Sequence, residues 1–257
     1  MLSWQHVQRG YLRLVSPIAD ALAARKVNPN HLTTLGTICS MIAGGIYAAG
    51  QISLAGWVLG LTAVFDAIDG EVARRSGRTT VFGAFYDSTL DRIADGAVLG
   101  GLCIFFARNG VHQHYPAWVS TPMVAVLLFG IIGSFLTSYT RARAEGLGID
   151  AKVGILQRPE RIVLLSAPQA FFGLLLNGWV LIGICLLLVV TAWITAVQRI
   201  AFVHRATFRE TLRLARSASA QPLADVAERR ADGRVAADGS ARRPNEVQSP
   251  PQLDVAR

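Results

Sequence analysis

Four aspartates stand where two apolar stretches face each other across a short polar loop. Asp66 and Asp69 close the first, LAGWVLGLTAVF; Asp87 and Asp91 open the second, which runs on into GAVLGGLCIFFA. Three and four residues apart, each pair lies on one face of a helix. Both stretches are apolar enough to cross a membrane. A lone carboxylate buried there costs several kcal/mol or takes up a proton, and four together also repel one another. The chain must therefore bring them to a shared positive charge. The simplest one is a divalent cation, or two, with oxygen ligands: Mg2+ or Mn2+ by hard-ligand preference.

Six apolar segments make up most of the chain, at roughly 32–49, 52–72, 83–107, 117–140, 161–176 and 178–203. The fifth is short for a span, which normally needs about 20 apolar residues. Composition agrees with a multispan protein: 52% of residues are hydrophobic, 16% are charged and mean hydropathy is +0.39. Those values exclude an ordinary soluble domain. Cys39, Cys103 and Cys185 each sit in an apolar run without metal or disulfide spacing, and read as packing residues. The expected fold class is all-α integral membrane, with six transmembrane helices preceded by an N-terminal amphipathic juxtamembrane helix.

That first helix covers residues 3–25, where Trp4, Val7, Tyr11, Leu14, Ile18 and Leu22 recur at helical spacing with Arg9, Arg13 and Asp20 between them. The periodicity fits a helix lying on the membrane or one packed on the bundle equally well. No cleavable signal peptide is expected, since these charges interrupt any apolar core. Asn28-Pro29-Asn30 then marks a turn and a helix start. Residues 1–29 form the interfacial helix and turn, 30–205 the membrane domain, and 206–257 a polar, disordered cytoplasmic tail in which helix ends near residue 216.

Charge placement sets the expected orientation. Of the lysines and arginines before residue 208, only Arg108 falls in the loops opposite the aspartates. By the positive-inside rule both termini and the aspartate end are cytoplasmic, in the cell membrane. The net charge of +8 is explained by this topology and by phosphate-bearing substrates, with no nucleic acid among the partners.

Between the aspartate pairs lie Gly70, Ala73, Arg74, Arg75, Arg78, Thr79, Thr80 and Gly83. Small residues one turn from the carboxylates let a bulky ligand approach the backbone. Arginines supply forked donors for phosphate oxygens. Together they point to a phosphate-bearing, nucleotide-like substrate. Acids merely paired with neighbouring arginines would need neither Gly70 nor Gly83.

The spacing D-x2-D-G-x2-A-R-x8-G-x3-D-x3-D, from Asp66 to Asp91, resembles the signature of the CDP-alcohol phosphotransferase family. The resemblance covers residues 10–205. It implies a metal-dependent transferase in phospholipid biosynthesis, acting as a homodimer on a CDP-activated membrane lipid. It also implies Asp66, Asp69, Asp87 and Asp91 as ligands to two Mg2+ or Mn2+ ions, with Asp91 the catalytic base. Pro29, Asn30 and Thr33, which match a P-[ND]-x-x-T segment, would contact CDP-diacylglycerol with Gly70, Ala73, Arg74, Thr80 and Gly83.

SYTRARAE, QRPER, VQR and YDSTLDRIADG further resemble the phosphatidylinositol phosphate synthase branch of bacteria. That branch takes inositol phosphate, and matching positions would place Ser138, Arg141, Arg143, Arg161 and Arg199 around the acceptor phosphate. Arg141 stands where a lysine is expected, exchanging a point charge for a planar fork. Arg199 lies inside the sixth apolar segment and wants an anionic partner, either the aspartates or a bound phosphate. The phosphatidylglycerophosphate synthase branch tends to read LDPxADK where this chain has YDSTLDR. A glycerol phosphate acceptor and an ether-linked lipid remain alternatives within the class. A cation transporter would need polar groups reaching both faces, whereas these cluster at one.

Overall fold

The structure is a computed structural model and describes residues 16–77, 79–108, 115–173 and 175–231. Among them are seven α-helices and no strand: α1 (16–24), α2 (Pro29–Ala48), α3 (Ile52–Arg75), α4 (Val81–Ala107), α5 (Ala117–Glu145), α6 (Arg158–Phe172) and α7 (Trp179–Ala231). The all-α expectation holds. Three helices are long and apolar enough to cross a membrane: α3, α5 and the stretch Trp179–Arg209 of α7. The expected Arg78 and the first thirteen residues of the amphipathic helix lie outside the described residues.

The chain divides into two units, Met1–Ala206 and Thr207–Arg257. All of the packing described below belongs to the first. In the second, helix continues to Ala231, which corrects the expected disorder over 206–231 and the helix end near 216. The segment is rich in Ala, Arg, Leu and Glu, whose intrinsic helix propensity needs no apolar periodicity. Residues 232–257 lie outside the described residues.

Local signals begin the helices. The Asn28 side chain accepts from the Asn30 N–H at 3.1 Å, with Pro29 opening α2. Thr80 Oγ1 accepts from the Gly83 N–H at 2.9 Å and starts α4. Ahead of α6, the Gln157 N–H donates to Glu160 Oε2 at 2.8 Å. The last carbonyls of α6 have no helical partner, and Ser53 Oγ donates to one of them, Ala170 O, at 2.9 Å. With 15 residues, α6 is about 22 Å long, short of a bilayer core of about 30 Å.

Helices α2, α3 and α4 pack mutually through α2, while α6 lies on α3 and α5 on α4. Their shared core holds Tyr47, Leu59, Leu102, Phe105, Phe106, Leu127 and Leu181. Glycine makes the closest crossings possible. A Cβ on Gly44 would run into Ala97 O, and one on Gly101 into Gly44 O. A Cβ on Gly56 would sit 2.5 Å from the Ala170 N of α6. The opposite faces of α2, α3, α5 and α7 leave Ile38, Met41, Trp57, Leu61, Phe129, Ile132, Leu187 and Val190 uncovered. Such an apolar outer surface suits a lipid environment. The described part of the amphipathic helix packs on the bundle: Ala19 is buried with Ile68 and Val72, and Arg75 binds Ser16 and Asp20.

The crossing of α2 and α4 separates two neighbouring glycines. Gly101→Ala forces backbone apart and should lower stability by about 1–3 kcal/mol, whereas Gly100→Ala meets nothing within 4 Å and should be neutral or slightly stabilising. Thermal melts of the two purified variants in one detergent check the contrast; equal midpoints would refute the crossing.

Candidate active site

Helix ends converge where the aspartates lie. The C-terminal turns of α3 carry Asp66 and Asp69, and the first turns of α4 carry Asp87 and Asp91. The start of α2 joins them through Thr33, whose Oγ1 donates to Asp69 Oδ2 at 2.8 Å. The start of α6 joins them through Arg158. Asp66 and Asp87 lie within electrostatic range of both Asp69 and Asp91. The structure thus brings the four together but gives them different partners.

Asp69 and Asp87 face a cleft lined also by Pro29, Asn30, Thr33, Gly70, Ala73, Arg74, Thr79, Thr80, Gly83 and Ala84. Every residue expected to contact the CDP-lipid lies on this one lining. Its glycines serve different ends. A Cβ on Gly83 would come within 3.0 Å of Thr80 Oγ1, the atom that caps α4. A Cβ on Gly70 would meet only the Arg74 guanidinium, at 3.5 Å, so the missing side chain keeps the cleft open rather than relieving a clash. Arg74 is held by Glu71 at 2.7 Å.

Asp66 and Asp91 line neither this cleft nor a second cavity, and pair with Arg158. Arg158 Nη1 lies 2.5 Å from Asp66 Oδ2 and 2.8 Å from Asp91 Oδ1. Its Nε is 3.5 Å from Asp95 Oδ1. Asp95 also accepts from Ser134 Oγ at 2.7 Å and stands 3.8 Å from Arg161 Nη2. Arg161 Nη1 donates to Ser134 Oγ at 3.1 Å. These four polar side chains (Arg158, Arg161, Asp95 and Ser134) and Ser40 edge that second cavity, otherwise lined mainly by apolar side chains such as Leu59, Val98, Leu165 and Leu188. In both arginines Nε is buried without a hydrogen-bond partner.

The expected acceptor group is only partly assembled. Arg161 lines the second cavity. Arg199 and Arg141 lie within electrostatic range of each other, and Arg161 is near Arg199. Arg199 does not reach the aspartates; it donates to Val153 O at 2.9 Å and to Thr137 O. Backbone carbonyls accept its hydrogen bonds, with Glu145 in electrostatic range. Arg141 pairs with Glu145 at 2.9 Å, both largely exposed. Ser138 is half-buried and Arg143 exposed, and neither lines the two cavities. The site list drawn from sequence omits Arg158, Asp95 and Ser134. Helical spacing holds the signal for all three: Asp95 follows Asp91 by four, Ser134 precedes Ser138 by four, and Arg158 precedes Arg161 by three.

The donor chemistry suits a hard divalent cation, since every acid here offers carboxylate oxygen from a stiff helix end. Among the described residues no three acidic, histidine or cysteine side chains stand close enough together to hold an ion as placed. The Arg158 guanidinium is the countercharge between Asp66 and Asp91.

Residues 26–205 match the sequence profile of the CDP-alcohol phosphatidyltransferases. The chain belongs to this family. It is 36% identical over 195 residues to the phosphatidylinositol phosphate synthase of Mycobacteroides abscessus, covering 76% of this chain and 85% of the relative. It is 34% identical over 191 residues to the archaetidylinositol phosphate synthase of Methanothermobacter thermautotrophicus, covering 74% and 89%. Among solved structures it is similar to the Mycobacterium tuberculosis phosphatidylinositol phosphate synthase with CDP-DAG bound, at TM-score 0.64 and 32% identity, over 74% of this chain and 94% of that one. The same enzyme in complex with manganese and citrate superposes with TM-score 0.64 at 32% identity, over 74% and 88%. A CDP-alcohol phosphotransferase needs a cleft for its nucleotide-activated lipid beside acidic and basic groups, and the two cavities have that arrangement.

The Asp95 network should matter to the fold as well as to the site. Asp95→Asn keeps the shape and removes the charge facing two guanidiniums, so a loss of about 1.5–3 kcal/mol is expected. Arg141→Ala breaks an exposed pair and should cost no more than about 1 kcal/mol. Melting of the two variants side by side checks this; an Asp95→Asn midpoint equal to that of the parent would refute the network.

Proposed function

We propose that the protein is a phosphatidylinositol phosphate synthase, transferring the phosphatidyl group of CDP-diacylglycerol to 1D-myo-inositol 3-phosphate with release of CMP. The observation that carries the reading is the single cleft that gathers all eight expected lipid-contact residues beside Asp69 and Asp87. The named activity of the relatives supports it, as does the basic group of Arg141, Arg161 and Arg199. The setting is a six-span fold in the cell membrane, with the site and both termini facing the cytoplasm and the chain forming a homodimer. Loop charge supports the orientation.

Asp66, Asp69, Asp87 and Asp91 are the residues to hold divalent cations, Mg2+ or Mn2+, two per site. Bound there, such ions neutralise the diphosphate and the departing CMP oxygen. The chain's own groups do the rest. Arg74 and Thr80 hold the nucleotide's phosphate and sugar, while Pro29, Asn30, Thr33, Gly70, Ala73 and Gly83 shape its seat. Arg161, fixed by Ser134, takes the acceptor phosphate with Arg199, Arg141, Arg143 and Ser138. Asp91 accepts the proton of the attacking inositol hydroxyl at a carboxylate oxygen. The new bond joins that hydroxyl oxygen to the phosphorus bearing diacylglycerol, and the bond from this phosphorus to the CMP oxygen breaks.

The test is transfer of labelled acceptor into lipid by purified, reconstituted protein given Mg2+ and CDP-diacylglycerol. Inositol phosphate, free inositol and glycerol 3-phosphate are offered in parallel. Label entering lipid from inositol phosphate alone is the expected result; label from glycerol 3-phosphate alone would overturn the acceptor assignment. Asp91→Asn should lower kcat by about 10^2–10^4-fold while CDP-lipid still binds. Arg161→Ala should raise KM for the phosphorylated acceptor about tenfold or more, with little change for the lipid.

A further inference from the structure

Arg158 stands where two needs collide. Its Nη1 touches one oxygen of Asp66 on α3 and one of Asp91 on α4. A cation held by those carboxylates needs the same oxygens, and a guanidinium and a metal ion cannot both occupy the space between them. Arg158 is therefore a competitor for the ligands as well as a clasp that joins the helices.

Its second anchor makes displacement feasible. Nε is buried with no hydrogen bond and lies 3.5 Å from Asp95 Oδ1. An arginine driven from Asp66 and Asp91 with no partner in reach would leave a desolvated, unpaired charge. Here a rotation of the guanidinium toward Asp95 turns a loose ion pair into a charge-assisted hydrogen bond. Asp95 already holds Arg161 beside the second cavity. Displacing Arg158 thus gathers two guanidiniums around one carboxylate at that cavity.

We infer that Arg158 is a positioning residue that neutralises Asp66 and Asp91 in the ion-free protein and is displaced toward Asp95 when a divalent cation binds. The inference rests on the reading that these aspartates hold such a cation. It makes metal loading and anion binding at the Arg158–Arg161 cavity thermodynamically coupled, each strengthening the other by the same factor. Metal loading then prepares the cavity for a phosphorylated ligand by releasing positive charge into it.

Mn2+ affinity tests this without turnover. Free Mn2+ is followed by electron paramagnetic resonance during titration of the purified full-length protein and of Arg158→Gln, Arg158→Lys and Asp66→Asn. Removing the competitor should tighten Mn2+ binding about tenfold in Arg158→Gln. The ion-free form of that variant should melt below the parent and recover more on adding Mn2+. Arg158→Lys keeps the charge with a shorter reach, so it should fold if the glutamine variant does not, and bind Mn2+ with intermediate affinity. Parent-like or weaker Mn2+ binding in both Arg158 variants, with Asp66→Asn impaired, would overturn the displacement while leaving the metal assignment standing. No Mn2+ binding by the parent would overturn both.

Discussion

Burial of carboxylates at the ends of apolar helices is the constraint on which the rest of this molecule depends. Asp69 sits in the buried interior between α2 and α3, and Asp66, Asp91 and Asp95 are each mostly shielded from solvent. Charges placed there without partners would oppose the packing of α3 and α4 on α2. The fold answers by aiming the starts of α2 and α6 at them. Thr33 hydrogen-bonds to Asp69, and Arg158 clasps Asp66 to Asp91. The same contacts that make the bundle close at this end also define the site, so fold and site are one electrostatic problem.

Away from that end the chain uses different physics. Around Tyr47, Leu102, Phe105 and Phe106 the helices are joined by apolar packing, and Gly44 against Gly101 lets two backbones touch. Few polar side chains are needed there. Among the described residues the polar half carries buried donors without hydrogen-bond partners, the Nε atoms of Arg158 and Arg161. Buried donors without acceptors are costly in a finished core. Arg158 Nε has the carboxylate of Asp95 at 3.5 Å to offset part of that cost.

Much of this was legible in the sequence because the signals were local. The spacing of Asp66, Asp69, Asp87 and Asp91 implied two helix faces, and Asn28-Pro29-Asn30 marked a helix start that the structure contains. The eight expected lipid-contact positions came from a family pattern, and they share one cleft because the start of α2, the end of α3 and the start of α4 all contribute to its lining. Long side chains were not legible in the same way. Arg199 was expected to approach the aspartates or a bound phosphate; its hydrogen bonds go to Val153 O and Thr137 O, with Glu145 in electrostatic range. Arg158, within QRPER, stood outside the expected site, yet it reaches three aspartates. An arginine head lies several bonds from its backbone, so periodicity places the residue but not the charge. The extension of α7 past 216 escaped for another reason: helix propensity without an apolar stripe leaves no periodic trace.

The division of the aspartates is the feature that carries most meaning for mechanism. Asp69 and Asp87 look into the cleft, while Asp66 and Asp91 are bound to Arg158 on the side of the second cavity. A transferase must bring a lipid phosphate and an acceptor hydroxyl to one phosphorus from opposite sides. Asp69 and Asp87 line one cavity and Asp95 the other. Asp91, proposed above as the base, lies one helical turn from Asp95, which lines the second cavity with Arg158 and Arg161. Asp91 is paired with Arg158. On the proposal above, the base is held by a group that cation binding displaces, which ties its readiness to the loading of the site.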